Sequence, residues 1–94
     1  MVQNLVSPRS GKAVANQFIV RTANGTFFQS YRSIVAKVDN LGNVTLGRNW
    51  DYSRTTLKYL MQFLRPFGHG DLNTERVRQK LKRGDFKFSD DLYF

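Results

Sequence analysis

The spacing of apolar residues along this chain changes near residue 50, from a period of two to a period between three and four. Before that point, Phe18-Ile19-Val20 lies within Gln17 to Thr22, Asn24-Gly25 offers the positive-φ pair of a two-residue hairpin turn, and β-prone residues resume from Thr26 to Tyr31. Ser33 to Val38 sets Ile34, Ala36 and Val38 against Ser33, Val35 and Lys37, the alternation of a third strand. Asp39-Asn40-Leu41-Gly42 signals a second turn, after which Val44 and Leu46 share one side of a short fourth strand and Thr45 takes the other. These segments predict a curled antiparallel meander.

The block Trp50-Asp51-Tyr52-Ser53-Arg54-Thr55-Thr56 hands the sheet over to a helix. Ser53 is placed to cap the first turn, and Tyr52 and Leu57 stand at the spacing of a hydrophobic staple. Leu57, Leu60, Met61 and Leu64 fall at offsets of 0, 3, 4 and 7, which predicts a helix from about Arg54 to Leu64, stopped by Pro66. After the irregular Phe67-Gly68-His69-Gly70-Asp71, Asn73 offers an N-cap for a second helix that ends at Gly84. Phe86-Lys87-Phe88 alternates again, as an edge strand or an extended tail.

Residues 1–15 hold no sustained period and contain Ser7-Pro8 and Ser10-Gly11, the marks of a flexible N-terminal arm. The expected organisation is therefore an arm over 1–15 and a single α+β domain over 16–94. Its architecture is a four-stranded antiparallel meander, with room for a short extra edge strand at the C-terminus, packed by two helices.

Composition narrows the picture. Ninety-four residues, 40 % hydrophobic and 14 % aromatic, suffice for one core. Cysteine is absent, which removes disulfides and thiolate metal sites and suits a reducing, cytoplasmic setting. The N-terminal residues contain no apolar run of the kind a signal peptide or membrane span needs, so no membrane partner is expected. Fifteen Lys and Arg against seven Asp and Glu leave a net charge of +8. Residues 1–38 carry Arg9, Lys12, Arg21, Arg32 and Lys37 with no acid, and the acids concentrate in the last quarter. Such a balance draws a protein towards polyanions.

Asn16-Gln17-Phe18, Thr22 to Gly25, Phe28-Gln29-Ser30-Tyr31, Val44-Thr45-Leu46 and the motif Trp50-Asp51-Tyr52-Ser53-x-Thr55-Thr56-x-Lys58-Tyr59 resemble a family of small domains of unknown function from bacteriophages and mobile elements of Gram-positive bacteria. The resemblance spans roughly residues 16–85, and the Trp50 block is its most specific part. It implies a phage or mobile-element origin and an intracellular setting, and it carries over no catalytic residue. Arg65-Pro66-Phe67-Gly68-His69-Gly70 is longer than the connection associated with that family.

The densest charge cluster is Arg76, Arg78, Lys80, Lys82 and Arg83, five cations in eight residues. On a helix, Arg76, Lys80 and Arg83 form one stripe and Arg78 with Lys82 another, on either side of Val77 and Leu81. Arg54, Lys58 and Arg65 add cations on the first helix. Two readings compete: these charges meet phosphates, or their stems cover the edge of the core and their heads are merely solvated. Phe27 and Tyr31, placed on one strand face by the alternation, are candidates for base stacking or simply for core packing.

Trp50 reads as a core anchor, and Asp51 as a carboxylate favoured by the positive end of a helix dipole. His69 lies between two glycines without metal-ligand spacing around it, and adjacent Asp90 and Asp91 diverge in an extended chain. No phosphate loop, nucleophile elbow or Cys-based triad occurs, so no enzyme, cofactor or metal is expected. The expected function is non-catalytic nucleic-acid binding through phosphate contacts from Arg76, Arg78, Lys80, Lys82, Arg83, Arg54 and Lys58. The alternative is a phage-encoded protein that binds and inhibits or redirects a host protein through an acidic surface, for example a defence component. A homo-oligomer is open to the chain through a strand edge or the C-terminal Leu92-Tyr93-Phe94.

Overall fold

Six strands lie side by side in chain order in a computed structural model, which describes residues 1–92. They are β1 (Val2–Val6), β2 (Ala13–Thr22), β3 (Gly25–Ser30), β4 (Ser33–Val38), β5 (Val44–Gly47) and β6 (Phe86–Ser89). Between β5 and β6 come α1 (Arg54–Leu64), a 3-10 turn (Arg65–Phe67) and α2 (Thr74–Arg83). The first five strands pair antiparallel, while β6 joins β5 in parallel. A parallel neighbour needs a crossover of a dozen or more residues, and the two helices supply it. The result is an α+β fold on a mixed six-stranded sheet.

The core lies between one face of the sheet and the helices. Phe28, Val35, Ala36, Val38, Val44 and Leu46 from the strands meet Leu60, Phe63 and Leu64 of α1, Val77 of α2 and Phe86 of β6. Trp50, 6 % exposed, joins them and acts as the anchor its position predicts. The Ser53 hydroxyl accepts the Thr56 N–H at 3.1 Å, and the Ser53 carbonyl accepts the Leu57 N–H at 3.0 Å. Tyr52 does not complete the expected staple: it is 79 % exposed.

Residues 1–15 are not an irregular arm. Val2 pairs with Val20, Gln3 with Ile19 and Asn4 with Phe18, and Val6 pairs with Ala13 after a register shift. Leu5 is buried in the core, and the Gln62 amide of α1 donates to the Val6 carbonyl at 2.6 Å. The four expected strands and the extra C-terminal edge strand are all present, with β6 at one edge, and β1 adds an unexpected sixth at the other. β1 is short and its inner face carries one buried apolar side chain, so its strand character comes from pairing with β2 rather than from its own pattern.

Two details of the meander also differ from the alternation. Thr22 pairs with Gly25, which leaves Ala23-Asn24 as the hairpin loop. Of the expected positive-φ pair only Gly25 takes a positive φ, 141°, and a Cβ there would also lie 2.5 Å from the Val38 carbonyl oxygen. Between β3 and β4, Phe28 pairs with Ala36 and Gln29 with Ile34, so Val35 is the extra residue of a bulge. Val35 and Ala36 both enter the core, whereas strict alternation sends Val35 to the opposite face.

Candidate nucleic-acid interface

Each helix presents its cations by burying the opposite face. In α1, Thr56, Tyr59, Leu60, Phe63 and Leu64 are buried, which leaves Arg54 and Lys58 exposed, with Arg65 just beyond the helix. The Lys58 ammonium sits 5.2 Å from the Tyr59 ring centroid. In α2, the Asn73 side-chain oxygen accepts the Arg76 N–H at 2.9 Å, and Gly84 at φ 86° closes the far end. Val77 is fully buried and Leu81 half-buried, so Arg76, Arg78, Lys82 and Arg83 project from the flanks and outer side, with Lys80 half-buried.

Seven predicted cations divide by what they touch. Arg76 donates to Asp71 at 2.7 Å, and Arg78 lies 3.9 Å from Asp51 with its guanidinium 5.9 Å from the Trp50 ring. Both ion pairs are solvent-exposed and contribute at most about 1 kcal/mol each. Asp51 therefore serves as a bridge from the start of α1 to α2, beyond its place near the helix dipole. Lys80 sits over the Phe86 ring at 5.5 Å. Arg54, Lys58, Lys82 and Arg83 meet no carboxylate among the described residues. Lys80, Lys82 and Arg83 also occupy the last turn of α2, where the helix dipole favours positive charge.

The base-stacking pair expected on β3 is not assembled. Phe27 has no exposed surface, and the Lys37 ammonium lies 5.5 Å from its ring. Tyr31 falls outside β3, in the β3–β4 turn at φ 55°, and is 62 % exposed. Phe27 is thus withdrawn from any contact with a base, while Tyr31 faces a different part of the surface. There the β3–β4 turn and the β5–α1 connection enclose an open cleft of about 670 Å³, lined by Tyr31, Arg32, Ser33, Asn49, Tyr52 and Thr55 among others. Arg32 and Tyr52 are site candidates that residue spacing does not reveal, because only the folded sheet brings their two loops together.

His69 packs edge-on against the Phe86 ring, 5.1 Å between centroids, on the ring that also carries Lys80. Burial first, and then the nearby Lys80 charge, lower its pKa below the usual imidazole value, against an opposing pull from Asp71. A histidine so shifted binds its proton less readily when folded, so the folded state loses stability as pH falls through the unfolded value near 6.5. Urea melts at a series of pH values should show stability rising as pH climbs from the lowered folded pKa to about 6.5, and His69→Asn should flatten that rise. An unchanged slope in the variant would assign the pH dependence elsewhere. Among the described residues no group of three or more His, Cys, Asp or Glu is positioned to hold a metal ion.

A family model spans residues 1–82 of this chain. The chain belongs to DUF8033, a family of unknown function. The DUF8033 match takes in β1, earlier than the residue 16 at which the resemblance begins, and ends inside α2 before β6. No curated protein and no solved structure matches this DUF8033 chain. No helix among the described residues is long and apolar enough to cross a membrane. The two residues Tyr93 and Phe94, named above for self-association, lie outside the described part.

Proposed function

We propose that this chain is a non-catalytic accessory protein of a phage or mobile element that binds nucleic acid through its phosphates. The reading is carried by four cations, Arg54, Lys58, Lys82 and Arg83, which are exposed on the helix layer and meet no carboxylate among the described residues. Arg76, Arg78 and Lys80 stand beside them on α2, and the Arg78 contact with Asp51 and Trp50 holds the middle of α2 against the entry to α1. Phosphate contacts of this kind fix position and affinity without selecting sequence. A net charge of +8 on 94 residues supplies the long-range attraction.

Fluorescence anisotropy with a generic duplex and a generic single strand tests the reading. At about 50 mM salt the expected Kd lies at or below about 10⁻⁴ to 10⁻⁶ M, with little dependence on base sequence. Absence of binding to both at that salt would contradict it. That result would turn attention to an acidic host protein, for which the same charges would accelerate encounter.

A further inference from the structure

Tyr31 and Tyr52 are 62 % and 79 % exposed, and they come from two separate loops to line one cleft. We propose that this cleft, between the β3–β4 turn and the β5–α1 connection, seats an unstacked nucleotide of a single strand, with its base against a tyrosine ring and its phosphate at Arg32. The proposal rests on the phosphate-binding reading for the path of the strand, but the cleft itself is a separate site.

Three observations carry it. A volume of about 670 Å³ falls within the range of about 300 to 1,000 Å³ typical of small-molecule sites, and the cleft is open, as a base still attached to its strand requires. Its walls contain Arg32 and no carboxylate, so an anionic ligand meets attraction without opposing charge from the lining. Part of the polar lining is already committed: Asn49 donates to the Ser33 hydroxyl at 3.2 Å, and the Ser53 and Thr56 hydroxyls bond each other at 3.1 Å. Those bonds fix the walls and leave Arg32, the two phenols and the exposed Thr55 hydroxyl to face a ligand.

Tyrosine suits a base better than an aliphatic group because every nucleobase has a π-face to stack, and its phenol tolerates water when the site is empty. Duplex DNA cannot present a base in this way without unstacking it, so the cleft favours single strands. Thr55 in the wall is followed by Lys58 one turn along α1, with Arg54 beside it. A strand leaving the cleft therefore meets the cations already assigned to phosphates.

Two measurements test the cleft. Titration of ¹⁵N-labelled protein with adenosine 5′-monophosphate should move the amides of residues 30–33 and 49–56, whereas shifts confined to α2, or none, would overturn the proposal. Tyr52→Ala should weaken single-strand binding by about 5- to 150-fold, the stacking loss of one base, and leave duplex binding within about twofold. Tyr31→Asn should act in the same direction without unfolding the chain, because asparagine tolerates the positive φ better than tyrosine. Equal effects on duplex and single strand, or no effect on either, would overturn the proposal while leaving phosphate binding intact. A protein that binds neither polymer removes the phosphate reading, and the mononucleotide titration then still decides the cleft.

Discussion

Phe28→Ala is expected to destabilise the fold by about 3–5 kcal/mol, the largest single-residue effect anticipated for this chain. Phe28 has no exposed surface, and its ring stacks on Phe63 of α1 with centroids 5.7 Å apart and planes 26° apart. It sits in the middle of the sheet, paired with Ile19 on one side and Ala36 on the other. Both flanking strands are held by backbone hydrogen bonds, so the space left by the ring cannot collapse without breaking the sheet. Domains of this kind are stable by about 5–15 kcal/mol in all, which makes the loss a large share of the total. For a domain near this size it corresponds to a melting temperature lower by roughly 12–40 °C. Urea denaturation followed by circular dichroism measures it directly. Phe88→Ala, at a position 52 % exposed on β6, is the control and should stay within about 0.5 kcal/mol of the native chain. A Phe28→Ala loss below about 1 kcal/mol would mean that the helices do not pack on the sheet as described.

The second large effect concerns binding. Replacing Arg54, Lys58, Lys82 and Arg83 together by glutamine lowers the net charge from +8 to +4, since four positive charges are removed. Duplex affinity at about 50 mM salt is expected to fall tenfold or more, because each neutralised phosphate contact contributes through released counterions. Stability should change far less. Arg54 and Lys58 are exposed, and Lys82 and Arg83 each gain only about 0.3–1 kcal/mol from the C-terminal dipole of α2. A variant that melts normally yet binds as tightly as the native chain would show that these cations are merely solvated. Arg76 and Arg78 are poor first targets, because their loss also breaks contacts with Asp71 and Asp51.

The helices were legible because their signals are local. Ser53, the leucine spacing and Pro66 bound α1 at Arg54 and Leu64, and Asn73 with Gly84 bounds α2, as the structure has them. The cations on α2 followed from the same periodicity, since Val77 and Leu81 dictate which face turns inward. What the sequence does not display are the features that pairing partners create. β1 becomes a strand because β2 offers it a ladder, and Val35 enters the core because a bulge forms against β3. The parallel direction of β6 is set by the two-helix crossover and not by Phe86-Lys87-Phe88 themselves.

The candidate site divides along the same line. The α2 stripes could be placed from spacing alone, whereas the partners of Arg76 and Arg78 come from a loop and from the distant start of α1. Tyr31 has a different neighbour from the one that alternation along β3 gives it. Its expected companion Phe27 lies four residues away within β3, but the strand ends at Ser30, Tyr31 turns away at positive φ and Phe27 is buried. Tyr52, twenty-one residues further on, lines the same cleft as Tyr31 instead.

The salt dependence of duplex affinity, measured side by side on the native chain and the four-glutamine variant, tests the phosphate-binding claim most directly. A steep linear fall of log K with log salt is expected for the native chain, and a slope shallower by about 3.6 in the variant, four phosphates at about 0.9 each. Parallel lines of equal slope, or a native chain whose affinity ignores salt, would contradict it.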